Sequence, residues 1–63
     1  MENLFDVAYE SVEATMRQNH AAALICLCNA YLHWGKLTQE ERSTRTAQIV
    51  QMNRWRDAFA SRL

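Results

Sequence analysis

The chain has 63 residues, of which 49% are hydrophobic and 22% charged, and seven basic and seven acidic side chains give it a formal net charge of zero. This length allows one small domain at most, and the composition is that of a globular protein and not of a disordered one. One glycine and no proline leave little material for the turns of a β-sandwich or a hairpin-rich fold, so we expect an all-α protein.

The first predicted helix covers about residues 3–18, where apolar residues recur at helical spacing and acidic residues occupy the other face. The polar patch at 17–20 follows, and Asn19 within it is a favoured N-cap. The apolar stripe nevertheless stays in phase across this patch. We predict a break near 18–20, with one helix from about residue 3 to 34 as the alternative. The predicted stripe is Leu4, Phe5, Ala8, Val12 and Met16.

The second predicted helix, about 20–34, contains the run AAALICLCNAYLHW at 21–34. This run is shorter than the roughly 20 apolar residues that cross a bilayer, which favours a buried helix and no contact with a membrane. Gly35 suits the left-handed position that ends helices. One face continues the first stripe and is expected to pack on the last helix: Ala23, Leu27, Ala30 and Trp34.

The last predicted helix covers about 39–62. It follows the sequence T-Q-E-E, in which Thr38 and Glu41 are expected to form a capping box. Together the predicted helices make a helical hairpin or a three-helix unit. The apolar stripe of the last one is Ile49, Met52, Trp55, Phe59 and Leu63.

The other side of the segment 21–34 remains apolar, and nothing in a chain this short is left to cover it. Exposed apolar patches usually mark an interface. We therefore predict a homodimer that resembles a four-helix bundle, formed by two copies about a two-fold axis. The alternative is a monomer whose apolar face binds a different protein. The predicted dimer interface is Leu24, Ile25, Leu27, Tyr31 and Leu32.

The residues that could carry chemistry do not form a recognisable site. On a helix Cys26 and Cys28 point about 200° apart, so they cannot bridge each other, and we expect both thiols to be reduced and buried in a cytoplasmic protein. His20 and His33 do not have the spacing of a zinc site. We predict no metal, no cofactor, no catalytic residues and no small-molecule substrate, and hence a protein that is not an enzyme.

Charge is unevenly distributed, since acidic residues dominate 1–20 and basic residues dominate 36–63. An aromatic residue between arginines, N-R-W-R at 53–56, raises the alternative of a small DNA-binding regulator that uses the last helix. A net charge of zero disfavours nucleic acid. The other interpretation is that the arginines pair with the acidic first helix. If these arginines instead form a basic face that binds a protein partner, the candidate residues are Arg42, Arg45, Arg54 and Arg56.

Along its whole length, from MENLFDVAYESVEATMRQNHAAALICLCNAYLHWG to NRWRDAFASRL, the chain resembles the small early proteins of lambdoid phages. These are encoded between the exonuclease and excisionase genes. The resemblance is one of general sequence similarity and implies an all-helical, dimeric accessory protein in the cytoplasm of the infected bacterium. Proteins of that region are associated with the lysis–lysogeny decision and with disturbance of the host cell cycle. A host or phage protein is then the expected partner.

Overall fold

A computed structural model describes residues 2–61 of the chain. Four helices follow one another: α1 (Leu4–Met16), α2 (His20–Lys36), α3 (Gln39–Ser43) and α4 (Thr46–Ala60). Every regular element within residues 2–61 is a helix, so the expectation of an all-α protein is confirmed. The predicted end of the last helix near 62, and the stripe position Leu63, lie outside the described residues.

Asn19 separates α1 from α2. Its backbone is extended (φ −152°, ψ 112°), and its side-chain oxygen accepts a hydrogen bond of 3.1 Å from the backbone N–H of Ala22. Asn3 begins α1 in the same way, by accepting from the N–H of Phe5 at 2.9 Å. Such caps satisfy backbone donors that the first helical turn leaves open. The structure therefore has two helices here and not one continuous helix.

Gly35 lies inside α2 and does not end it. No residue from 2 to 61 has a positive φ, so the expectation of a left-handed glycine is wrong. The helix ends at Lys36, and the capping residue Leu37 that follows has an extended backbone (φ −70°, ψ 148°). Arg42 satisfies the open carbonyls instead, because its Nε donates to the oxygen of Trp34 (3.2 Å) and its Nη2 to that of Gly35 (2.9 Å). This contact comes from another helix, which a local glycine signal does not reveal.

The segment expected to be one last helix is divided into α3 and α4 at Thr44 and Arg45. Thr38 and Glu41 form the predicted capping box at the start of α3. The helix then stops where hydroxyl side chains bond to nearby carbonyls, as Thr44 does to Glu41 at 2.8 Å and Ser43 to the residue three before it at 2.7 Å. Local bonds of this kind compete with the helical ladder, which explains the break in the run S-T-R-T.

The three longer helices pack side by side. Helices α1 and α2 are antiparallel, so the ring of Phe5 lies 5.4 Å from that of Trp34. Helix α4 covers both of them, with Trp55 at 5.1 Å from Tyr9 on α1 and Phe59 beside the start of α2. The arrangement is a three-helix unit with the short α3 as a connection.

All three longer helices contribute to one core, as the predicted stripes require. Met16, Trp34, Ile49 and Trp55 are half-buried against it. Leu4 is the exception, because it lies about 100° from Phe5 round the helix axis and is 66% exposed. The buried residues are Phe5, Ala8, Val12, Ala23, Leu27, Ala30, Met52 and Phe59.

Candidate interaction surface

The side of α2 that points away from α1 and α4 is exposed and almost uncharged. Ile25 is 71% exposed and Leu32 is 66% exposed, although both side chains are large and apolar. A continuous apolar surface of this kind marks an interaction site more often than a free surface. We call it the outer face of α2, and it consists of Ala21, Ile25, Cys28, Leu32 and Gly35, all of them exposed.

The predicted interface residues divide into three groups. Ile25 and Leu32 lie on the outer face of α2, as expected. Leu24 and Tyr31 are half-buried at its edge, where the Tyr31 hydroxyl donates to Oδ1 of Asn53 at 2.6 Å. Leu27 lies in the core and is only 4% exposed, because it is on the side of α2 that meets the other helices. Its side chain therefore offers almost no surface to a second protein.

An apolar groove of about 240 Å³ runs between α2 and α4 beside the outer face. Cys28 belongs to both features, and Arg56 is the charged residue among those of positions 2–61 that line the groove. The groove extends the apolar surface from α2 towards the end of α4, so it can receive an apolar side chain of a bound protein. Its lining is Leu24, Leu27, Cys28, Tyr31, Arg56, Phe59 and Ala60.

The four candidate arginines do not form one basic face. Arg42 ends α2, as described above, and its guanidinium lies 5.9 Å from the centre of the Trp34 ring. Arg45 donates from Nε and Nη2 to the two carboxylate oxygens of Asp6, both at 2.9 Å. Arg54 and Arg56 remain exposed. Pairing of an arginine with the acidic first helix, the other interpretation of these charges, is therefore found for Arg45.

Side-chain hydrogen bonds of Arg45 and Glu41 connect the start of α1 to the segment around α3. The Arg45 guanidinium, hydrogen-bonded to Asp6, lowers the pKa of that carboxyl, although partial burial opposes the effect. Hydrogen bonds from Thr38, first from its backbone N–H, lower the pKa of Glu41. Glu41 also accepts a hydrogen bond of 3.0 Å from Nδ2 of Asn3. These contacts hold the start of α1 against the segment around α3.

The cysteines and histidines do not converge. Cys26 is half-buried and Cys28 is exposed, and both are free thiols. The expectation that both thiols are buried is wrong for Cys28, because it lies on the outer face of α2. His20 packs edge-on against Phe59, with ring centres 4.6 Å apart. In the part of the chain that the structure describes, no three potential ligands among histidine, cysteine and acidic residues lie close enough to hold a metal ion.

No helix between residues 2 and 61 is long and apolar enough to cross a membrane. Comparison of the chain with protein-family models, curated proteins and solved structures gives no significant match. The resemblance to small phage proteins therefore stays a prediction.

The outer face of α2 also shows a feature that the sequence analysis missed. Large and small residues alternate along it, at positions 21, 25, 28, 32 and 35. This regular spacing is the sequence signal that could have revealed it.

Proposed function

We propose that this chain is a small non-enzymatic regulatory protein that acts by binding another protein, and that it does so as a homodimer paired through α2. The single observation that carries the proposal is the exposure of Ile25 and Leu32 on an otherwise small and uncharged face. A two-fold pair buries the same surface of both copies. Two such three-helix units joined through α2 bring six longer helices together, with the two α2 helices at the centre of the proposed pair. The proposed pair is therefore a larger bundle than the four-helix arrangement that the sequence predicts.

The biological setting in this proposal comes from the sequence resemblance. The protein then acts in the cytoplasm of a phage-infected bacterium, where it influences the lysis–lysogeny decision or the host cell cycle by contacting a host or phage protein. Arg54 and Arg56 are the candidate contacts for that partner. Both are exposed, and arginine is over-represented among the residues that dominate binding energy at interfaces.

The alternative function, a DNA-binding regulator that uses the last helix, has less support. Arg42 and Arg45 hold parts of the chain together through hydrogen bonds, which leaves Arg54 and Arg56 as the exposed members of the four. A neutral chain also lacks the excess of positive charge that drives binding to phosphates. A gel shift on phage and host DNA over a range of salt concentrations tests this alternative, because binding through contacts to DNA phosphates weakens steeply with salt.

Sedimentation velocity tests the proposed dimer. We expect the wild-type chain to be dimeric in the low micromolar range. The variants Ile25→Glu and Leu32→Glu should be monomeric with an unchanged helical circular dichroism spectrum, because both side chains are already exposed in the single chain. Leu4→Glu is the matched control, since Leu4 is as exposed as Leu32, 66% in each case, but lies on α1. A wild-type chain that is folded and monomeric at these concentrations would contradict the proposal.

A further inference from the structure

We infer that the two copies place their α2 helices side by side and antiparallel, with Leu32 of each copy against Cys28 of the other and Ile25 against Gly35. This inference rests on the proposed homodimer and adds its orientation and register. The outer face of α2 follows the spacing 4, 3, 4, 3, which is the 3.5-residue period of a seam between two paired helices. All five of its residues are exposed in the single chain.

Large and small side chains alternate along this seam. Ile25 and Leu32 project from it, whereas Ala21, Cys28 and Gly35 leave space between them. A two-fold interface has to be complementary to itself, and this face carries both the projecting residues and the gaps that receive them. It holds no carboxylate, ammonium or guanidinium group, so pairing it with itself buries no unpaired charge. A partner segment with charges facing α2 would bury them without a counter-ion.

Gly35 also indicates that a second copy of the chain covers the outer face of α2. Its φ is not positive, and a Cβ added to it would meet no atom within 4 Å. Neither the conformation nor the packing of the single chain therefore requires glycine at this position, although glycine is among the least helix-favouring residues. A large side chain from a second copy, packed directly on the backbone at position 35, explains why this position has no side chain of its own.

The charges on α2 favour the antiparallel orientation. A parallel pair would set Lys36 beside Lys36 of the second copy and would align the two helix dipoles. It would also place identical residues at the same level, so that large side chains face large ones. An antiparallel pair separates the two lysines to opposite ends of the seam and lets a large residue face a small one in every layer.

Two antiparallel registers pair large residues with small ones, and the charges and Gly35 select between them. In one register Ile25 faces Cys28 and Leu32 faces Ala21, which leaves Gly35 beyond the contact. That register also brings Lys36 to the turn that carries Arg17 of the second copy. In the other register Leu32 faces Cys28 and Ile25 faces Gly35, and this like-charge approach is avoided. The second register is therefore the one we propose.

A matched pair of variants tests the register. Gly35→Leu fills the gap that Ile25 of the second copy occupies. Because overpacking a close contact weakens it, we expect the dissociation constant of this variant dimer to be about 10- to 100-fold higher than that of the wild type. Ala21→Leu makes the same kind of change at the other end of the seam, beyond the last layer of this register. We expect its dissociation constant to stay within about twofold of the wild-type value, well inside a factor of ten.

Sedimentation equilibrium gives the dissociation constants, and circular dichroism at each concentration shows whether the helices persist. A weaker dimer for Ala21→Leu with an unchanged one for Gly35→Leu would overturn this register in favour of the other. Unchanged dimers for both variants would overturn the α2 seam while leaving the homodimer in place. A monomeric wild-type chain would overturn the seam together with the proposed homodimer, so the two failures are distinguishable.

Discussion

At the scale of single residues, the charge pattern predicts that arginines meet the acidic first helix but not which arginine does so. Arg45 pairs with Asp6 across 39 positions of sequence, and this partner becomes visible only once α1, α3 and α4 are placed. Arg42 is similar, because it caps α2 through the carbonyl of Gly35. From their spacing in the sequence, these two arginines were predicted to have the same role as Arg54 and Arg56, because all four fall on one predicted helix at positions expected to be exposed to solvent.

The lowered pKa of Asp6 predicts how stability depends on pH. Between the lowered pKa in the folded chain and the ordinary value of 3.8 in the unfolded chain, the unfolded state binds more protons, so stability rises with pH there. The contribution is complete above the ordinary value and is lost as the pH falls through the folded one. For a partly exposed pair it should be about 1 kcal/mol or less.

Urea unfolding of the wild type and of Asp6→Asn, at neutral pH and at a series of values below pH 4, measures this contribution. We expect the variant to be less stable at neutral pH and to approach the wild type under acid conditions. Glu10→Gln is the control, because Glu10 is an exposed carboxylate on the same helix. An acid dependence that is identical in wild type and Asp6→Asn would show that the pair contributes nothing.

At the scale of helices, the beginnings were more predictable than the ends. Asn19 and the Thr38–Glu41 box act within three residues of themselves, so their signals are local and readable in sequence. The end of α2 depends instead on Arg42, a contact from another element. The division at Thr44 was missed because the apolar stripe of the last helix begins only at Ile49 and says nothing about the residues before it.

Gly35→Ala should stabilise the chain, because Gly35 is helical and a Cβ there meets open space. Alanine in a helix interior is favoured over glycine by about 0.5–1 kcal/mol, which corresponds to a rise of about 2–8 °C in the unfolding midpoint of a domain of this size. Thermal unfolding at a concentration low enough to dissociate any dimer measures the effect. A lower midpoint would indicate the left-handed conformation that the sequence alone suggests.

At the scale of the whole molecule, the three stripes predict the core well, since every residue that is buried between positions 2 and 61 comes from one of them. They do not predict which of the remaining apolar residues stay in water. Leu24 and Ile25 are neighbours that both lie outside the stripes, yet Leu24 is half-buried and Ile25 is 71% exposed. That distinction depends on where α4 lies against α2, because Leu24 lines the groove between the two helices, and no residue pattern specifies that position. The outer face of α2 could be predicted in outline but not residue by residue.

The positions of the arginines in the whole fold give the last prediction. Reversing Arg54 and Arg56 to Glu should leave the circular dichroism spectrum unchanged, because exposed substitutions usually alter stability by less than about 0.5 kcal/mol each. Reversing Arg42 and Arg45 to Glu should lower the unfolding midpoint, since it removes the hydrogen bonds from Arg45 to Asp6 and from Arg42 to the end of α2 and sets a carboxylate beside Asp6. A core of this size supplies only about 3–5 kcal/mol in total.

Thermal unfolding followed by circular dichroism compares the stability of the two double variants. Only the Arg54→Glu, Arg56→Glu chain is then suitable for testing the partner surface.

We expect this Arg54→Glu, Arg56→Glu chain to remain dimeric and to lose a partner that the wild type retains in a pull-down. Reversal of the exposed acidic residues Glu10 and Glu13 is the matched control and should have a weaker effect. If the Arg42→Glu, Arg45→Glu chain unfolds at the wild-type temperature, the two arginines do not hold the helices together. If the Arg54→Glu, Arg56→Glu chain keeps the partner, these two side chains are merely solvated.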